Sequence, residues 1–399
     1  MIIPGPGTRK TPLPKGFRSF SINAGIRKYR PDLGVLYSKY PAKAAAVYTK
    51  NTAQSHHIQY CQEVLPTDNL QAIITNSGQA NTATGPKGAE DNLRMVHALA
   101  MEMKLTPSQI ATASTGVIGM PLAIEKIERA IPDLVNNKGK SAERFATAIM
   151  TTDLVPKAFT TTVNLSEGEI RLTGICKGSG MIHPNMATML GYIATDVSLD
   201  LTLMQSWLKE VVEKSFNMIS VDGETSPNDT VFMMANGASE VEIVNDQDKN
   251  LFMVALLDLA THMAKSIAAD GEGASKLIEV KLKGAPKQCL AKELARSLVT
   301  SPLVKTAIHG GDPNWGRIYS RLGQFGAPKE ILETMNLSIQ GISILKEGEM
   351  EPLDFYEVRT SLGDDHIEVN VDFKSGDYEA TAWGCDLTKK YVDINTEYN

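Results

Sequence analysis

The run Lys177-Gly178-Ser179-Gly180-Met181-Ile182-His183-Pro184-Asn185-Met186-Ala187-Thr188-Met189-Leu190 sets an interior threonine behind a small alanine, after a turn punctuated by glycine and fixed by proline. Gly178 and Gly180 open backbone angles closed to other residues, Pro184 locks φ, and His183 before it is pushed to extended geometry. A threonine hydroxyl is nearly inert until a neighbouring base takes its proton, and a free α-amine, titrating at about 7.7 to 8.0, is one such base. Interior Thr188 has no α-amine. The stretch therefore reads as a bond built to break: Thr188 Oγ attacks the Ala187 carbonyl, the chain passes through an ester, and a new chain begins at Thr188. A Gly-Ser-Gly turn ahead of an apolar strand at 188–193 is the plainer reading of the same residues.

Upstream, residues 158–165 and 170–177 alternate around a Glu167-Gly168 turn, the pattern of a hairpin that delivers the chain into this run. Thr188 would then begin a strand. Residues 70–75 read as a buried strand, Ala89, Leu93, Val96, Ala100 and Met103 mark one helical face, and 122–134 and 141–149 read as further helices. Downstream, Leu203, Trp207, Val211 and Phe216 outline a helix, and 251–269 another that stops at Asp270-Gly271. Near residue 280 the texture changes. A helix at 287–298 is followed by period-two strands at 366–373, 378–383 and 391–394, so we place a domain boundary there.

Composition sets only broad bounds. A chain of 399 residues, 42% hydrophobic and 22% charged, has ample core for two domains. The N-terminal MIIPGPGTRKTPLPKGF lacks a basic segment leading into an apolar one, and nowhere do 18 apolar residues run together, which points to a cytoplasmic protein without membrane spans. Cys61, Cys176, Cys289 and Cys385 are widely spaced, indicating neither a disulfide framework nor a zinc site. His56-His57 reads as solvated, and no metal site is expected. Neither G-x-x-x-x-G-K-[ST] nor G-x-G-x-x-G occurs.

The net charge of −6 argues against nucleic acid as a partner, but it is unevenly placed. Up to Ala187 there are 21 Lys+Arg against 13 Asp+Glu, or +8; the remainder carries 19 against 33, or −14. A cut before Thr188 would leave fragments of opposite sign, 1–187 and 188–399. Interleaved packing, rather than this screened attraction, would hold them together.

The fourteen-residue run closely resembles the self-cleavage segment of the glutamate N-acetyltransferase (ornithine acetyltransferase) family of arginine biosynthesis, and the resemblance extends over the whole chain. It implies a mixed α/β (α+β) fold: an αββα layered sandwich resembling N-terminal nucleophile hydrolases in residues 1–280, and a smaller C-terminal α/β domain at 281–399 that completes the substrate site. It also implies cleavage between Ala187 and Thr188, and acetyl transfer from N2-acetylornithine to glutamate through an acetyl-Thr188 intermediate. No metal or prosthetic group is implied. Some members of the family also accept acetyl-CoA as donor, and light and heavy fragments assemble as a heterotetramer of two each.

Site residues follow from the resemblance position by position. Ala111 to Gly119, ATASTGVIG, reads as a short strand broken at Ser114-Thr115-Gly116, and it matches the family's oxyanion-hole motif, so Thr115 and Gly116 become hydrogen-bond donors to the tetrahedral intermediate. Thr151 in Met150-Thr151-Thr152-Asp153, Lys177, Thr188, Glu272 in Asp270-Gly271-Glu272-Gly273, and Asn395 match substrate contacts. Taken singly, Thr151 ends a helix, Lys177 is a solvated cation and Glu272 decorates a turn. The chain departs from the family at Gln79 and Thr82-Ala83, at Glu224 and Pro227, and at Asn399, where a hydroxyl residue is expected one position later. Gly310 to Arg317 fits the family as a loop, an Asp cap and a Pro-started helix, with no catalytic role. Two other readings compete: an aminopeptidase or amidase of the same self-processing superfamily, with water as acceptor, and an uncleaved binding protein.

Overall fold

The computed structural model describes residues 10–139, 141–183 and 189–396. The chain divides into two compact units, one of Met1–Gly178, Pro184–Asn217 and Thr225–Met263, the other of Ser179–His183, Met218–Glu224 and Ala264–Asn399. The last stretch of the second unit begins at Ala264, inside a helix that spans Asp246–Ala269.

In the first unit, β1 (Phe17–Ile22), β2 (Leu33–Tyr48), β3 (Thr67–Gln79), β4 (Ile110–Val117), β5 (Lys138–Gly139), β6 (Lys157–Leu165), β7 (Gly168–Lys177), β8 (Leu190–Thr195) and β10 (Thr230–Ala235) form one sheet; β9 (Ile219–Ser220) belongs to the other unit. Among the described residues the order is β4-β3-β2-β10-β8-β7-β6, with β1 on β2. The β3–β4 and β8–β10 pairs are parallel, the other neighbours antiparallel. Helices α1 (His56–Val64), α2 (Gly85–Met103), α3 (Ile124–Asn136), α4 (Glu143–Ile149) and α5 (Leu201–Lys214) precede α6 (Asp246–Ala269).

Both faces of this sheet are covered. Val35 and Ile74 pack with Met95, Leu99 and Ile127 of α2 and α3, whereas Leu36 and Ile73 join the cluster of Phe145, Tyr192 and Phe232. Hence β3 and β10 read as continuous apolar runs instead of alternating ones. Tyr192 stacks on Phe232 at 5.5 Å, meets Phe145 edge-on at 4.9 Å, and shares a 2.8 Å hydrogen bond with Thr75 Oγ1. The 158–165 and 170–177 hairpin is present as β6 and β7, paired from Lys157↔Cys176 to Leu165↔Gly168.

Helix α6 is long and apolar enough by length and composition to cross a membrane, yet half of that stretch is buried. Its Phe252 stacks on Trp207, and Leu259 and Met263 lie where Gly174 of β7 has no side chain. It is a core helix. The buried face of α2 differs from the 89/93/96/100/103 stripe: Ala89 and Leu93 are exposed, while Asp91, Asn92, Met95 and Leu99 are buried. A polar pair takes the place of an apolar one there, and hydrophobic spacing does not register it. Strand β4 runs through Ser114-Thr115-Gly116 rather than breaking before it, because β3 stays paired with it to Gly78.

In the second unit, β11 (Leu277–Ala285), β12 (Asn336–Ile339), β13 (Ile342–Lys346), β14 (Glu349–Met350), β15 (His366–Asp372) and β16 (Tyr378–Cys385) join β9 in the order β14-β13-β12-β15-β11-β16-β9. Helix α7 (Gln288–Thr300) lies on β11 and β16, where a Cβ on Gly384 would stand 2.8 Å from Val299 Cβ; glycine lets the helix close onto the strand. Helices α8 (Pro302–His309), α9 (Trp315–Gln324), α10 (Lys329–Leu332), α11 (Phe355–Ser361) and α12 (Lys389–Thr396) complete the described elements. Residues 391–394 are helical, not a strand. Tyr391 N donates to Thr388 O and Asn395 Nδ2 to Tyr391 O, local bonds that a four-residue alternation cannot distinguish from a strand. Helix α9 starts at Trp315 with Asn314 as cap, two residues later than an Asp312 cap would place it.

His57, expected in solvent, is fully buried at the start of α1, with Nδ1 2.8 Å from Ser55 Oγ and Nε2 3.2 Å from Thr230 Oγ1 of β10. Burial pushes its imidazole down from 6.5 to about 3, against a weaker upward effect of the Asn228 backbone. Between those values the unfolded chain binds a proton that the folded chain refuses, so stability is full above pH 6.5 and falls as pH is lowered. Urea denaturation from pH 7 to 4 should show a loss approaching about 1.4 kcal/mol per pH unit from this group. His57→Gln should flatten the slope by one proton, and an unchanged slope would mean that His57 titrates normally.

Candidate active site

Ala187 and Thr188 lie outside the described residues. What is described is the ground on either side of them and the remaining predicted site residues, four in the first unit and two in the second.

In the first unit, the end of β4 and the end of β7 meet. Lys177 Nζ donates to Thr115 Oγ1 at 3.2 Å, and both residues are buried. A hydroxyl that accepts from an ammonium still has its own O–H to give. Gly116, next to it, has φ +134, and a Cβ there would lie 2.2 Å from Gly78 C and 2.5 Å from Gln79 N. Only glycine fits where β3 and β4 approach so closely.

The strand ends are held by a dense set of side-chain bonds. Ser114 Oγ donates to Asn76 Oδ1 at 2.7 Å, and Asn76 Nδ2 to Gln79 O at 2.9 Å. Asn228 Nδ2 donates to Ala80 O at 2.6 Å and to Ser114 O at 2.7 Å, while its Oδ1 accepts from Thr82 Oγ1 at 2.7 Å. Thr82, one of the departures from the family pattern, therefore bonds the residue that fixes the strand carrying Thr115.

Thr151 is tied to the same region through Asp153. Its N–H donates to Asp153 Oδ2 at 2.9 Å, and its carbonyl accepts from Arg27 at 3.2 Å and from Arg30. Asp153 Oδ1 accepts from Lys157 Nζ and from Gly178 N, each at 2.8 Å. Burial alone would push the Asp153 carboxyl up. The charges of Lys157 and Lys177, with the Lys157 and Gly178 hydrogen bonds, outweigh it, and the net shift is well below the usual carboxylate range.

In the second unit, Glu272 and Asn395 come together: Asn395 Nδ2 donates to Glu272 Oε2 at 2.8 Å. A Cβ on Gly180 would fall 2.2 to 2.4 Å from the Glu272 carboxyl group, so that glycine leaves room for it. Glu272 N donates to Ser179 O at 2.9 Å and Ser179 Oγ to Asp270 O at 2.6 Å, fastening the turn to the start of the cleavage run. Gly273, at φ +71, lies where a Cβ would meet Tyr391 N at 2.6 Å, which seats α12 on the turn. Burial, then the charges of Asp222, Glu272 and Glu224, push the Tyr391 hydroxyl up to about 12.

The backbone at Met181 and Ile182 is cradled by Asp222. Met181 N donates to it at 2.6 Å and Ile182 N at 2.8 Å, and Ile182 O accepts from Val221 N at 2.7 Å. Met181 takes φ +54, uncommon for a residue with a side chain. His183 Nδ1 is 3.2 Å from Ser220 Oγ and Nε2 3.0 Å from Arg296 Nη2; burial and the Arg296 charge lower it to about 4, so it is a neutral imidazole at neutral pH.

Asp153, Asn228 and Asp222 are the residues that sequence reading did not assign. Asp153 lies inside a run that resembles the family's, whereas Asp222 and Asn228 flank Glu224 and Pro227, two departures from it. Among the described residues no three His, Cys, Asp or Glu side chains converge as metal ligands.

The ArgJ family model matches residues 18–399. The arginine biosynthesis bifunctional protein ArgJ of Bacillus thuringiensis subsp. konkukian is 42% identical over 392 residues, 96% of this chain and 95% of its own. The crystal structure of the arginine biosynthesis bifunctional protein ArgJ of Bacillus halodurans is 40% identical with a TM-score of 0.51, over 52% of this chain and 99% of that one. The ornithine acetyltransferase of Mycobacterium tuberculosis, solved in complex with ornithine, is 32% identical with a TM-score of 0.42, over 45% of this chain and 98% of its own. With a family match over nearly all its length and a relative 42% identical across it, this chain belongs to the ArgJ family.

Proposed function

We propose that this chain cuts itself between Ala187 and Thr188 and then carries an acetyl group from N2-acetylornithine to glutamate on the Thr188 hydroxyl. In the first stage Thr188 Oγ adds to the Ala187 carbonyl and the peptide nitrogen leaves, giving an ester. Water hydrolyses that ester. Ala187 ends as a carboxylate, and Thr188 gains the α-amine that serves as its base.

In the second stage the amine takes the hydroxyl proton as Oγ adds to the acetyl carbonyl. The oxyanion accepts hydrogen bonds from the Thr115 hydroxyl and the Gly116 N–H, and the protonated amine returns its proton to the departing ornithine nitrogen. Glutamate's amine then attacks the acetyl ester by the reverse path and leaves as N-acetylglutamate. Lys177 steadies developing negative charge or a substrate carboxylate; Thr151, Glu272 and Asn395 orient the amino acid, Glu272 toward its ammonium. Acetyl-CoA serves as a second donor of the same acetyl group. The steps as written use no metal or prosthetic group. Two light and two heavy fragments stay assembled, as the family resemblance implies, and the enzyme works in the cytoplasm.

The observation that carries this reading is the buried contact of Lys177 with Thr115 beside a glycine that admits no side chain, in a chain of the ArgJ family. The Bacillus halodurans chain, matched over 99% of its length by 52% of this one, has a length that suits one fragment of a chain cut before Thr188.

Denaturing mass spectrometry of the purified protein should give two fragments with a new N-terminus at Thr188, and an intact 399-residue chain would refute the cut. Thr188→Ala should remain one chain and transfer nothing. Thr115→Val should still be cut and lose about 10² to 10³ in kcat. With glutamate as acceptor, acetylornithine and acetyl-CoA assayed separately should each yield acetylglutamate; free acetate as the main product would mean a hydrolase instead.

A further inference from the structure

Asp153 and Lys157 form an ion pair whose side chains are 0% and 1% exposed. A buried pair of this kind adds little net stability over apolar residues of the same volume, so stability alone does not account for it. Its other bonds are more telling. The same carboxylate that accepts from Lys157 also accepts from Thr151 N and from Gly178 N, the residue after Lys177. Those two N–H groups belong to segments 27 positions apart, one ending in a substrate contact of the proposed reaction, the other in the lysine that reaches Thr115.

We infer that Asp153 is a positioning residue for the acyl transfer, a brace that holds Thr151 and the Lys177–Thr115 pair in one geometry, with Lys157 fixing the direction of the carboxylate. The inference rests on the transfer reading above. Asp153 acts through the residues it holds, and a displacement of about 1 Å in such a group is enough to cost about 10² in rate.

Asp153→Asn keeps the shape but turns one acceptor oxygen into a donor, so at least one of the three donors loses its partner. Active sites are counted by the acetyl-enzyme formed in the first turnover, and kcat per counted site is then measured with KM for acetylornithine and glutamate. Asp153→Asn should lower kcat per site by about tenfold or more. Lys157→Gln, which leaves the carboxylate and both backbone bonds, should lower it by about threefold, and the double variant should be no slower than Asp153→Asn because the brace is already gone. A purely structural role would reduce the number of counted sites and leave kcat per site within about twofold of wild type; that result overturns the inference. If Asp153→Asn yields no countable sites, Lys157→Gln decides: a kcat per site within about twofold of wild type overturns it. A wild-type protein that forms no acetyl-enzyme overturns the transfer reading and this inference with it, whereas an active wild type beside an unaltered Asp153→Asn overturns the brace alone.

Discussion

In a sheet covered on both faces, polar groups buried near the strand ends are costly unless protein answers them. In the first unit, β3 and β4 lie between the α2–α3 layer and the cluster around Tyr192. The answers are specific: Asn76 for Ser114, Asn228 for two carbonyls, Thr82 for Asn228. Thr115 stands one residue beyond Ser114 and is met by Lys177. The desolvation that makes these bonds obligatory also strengthens a cation's hold on negative charge that appears nearby. Folding and the proposed chemistry therefore draw on one buried region.

Close approach of the two strands adds a second constraint. Because Gly116 lies against Gly78 and Gln79, the Thr115 hydroxyl and the Gly116 N–H belong to a stretch of backbone with little freedom to shift. Donors that are already in place need no reorganisation when charge develops.

Much of the architecture was legible because its signals are local. The 158–165 and 170–177 hairpin declared itself by alternation around a glycine turn, and α6 and α7 by their apolar spacing. The fourteen-residue run was specific enough to indicate the family that the whole-chain match establishes. What was missed depends on partners distant in sequence. Leu93 outranks Asn92 in hydrophobicity, yet Asn92 is the buried one, on a face where Asp91 is also buried with Lys87 2.8 Å away. His57 is buried because β10, 173 positions on, supplies Thr230. Lys177 and Thr115 are 62 positions apart, so no spacing rule could join them, and Asp153 drew no role because the donor that links it to the cleavage run, Gly178 N, is 25 positions on. In 391–394, a strand and a helical turn shared the same four residues.

The seating of α12 on the Gly273 turn bears on how this protein is handled. Asn395 gives the Glu272 carboxylate its amide partner, and Gly273 accepts Thr388 Oγ1 through its carbonyl at 2.8 Å. A truncation that removes α12, or a purification tag that pulls it away, would strip a buried acid of its neutral donor and alter the very group proposed to receive a substrate's ammonium. Assays that compare variants are thus best made with that end of the chain unmodified and affinity handles placed elsewhere.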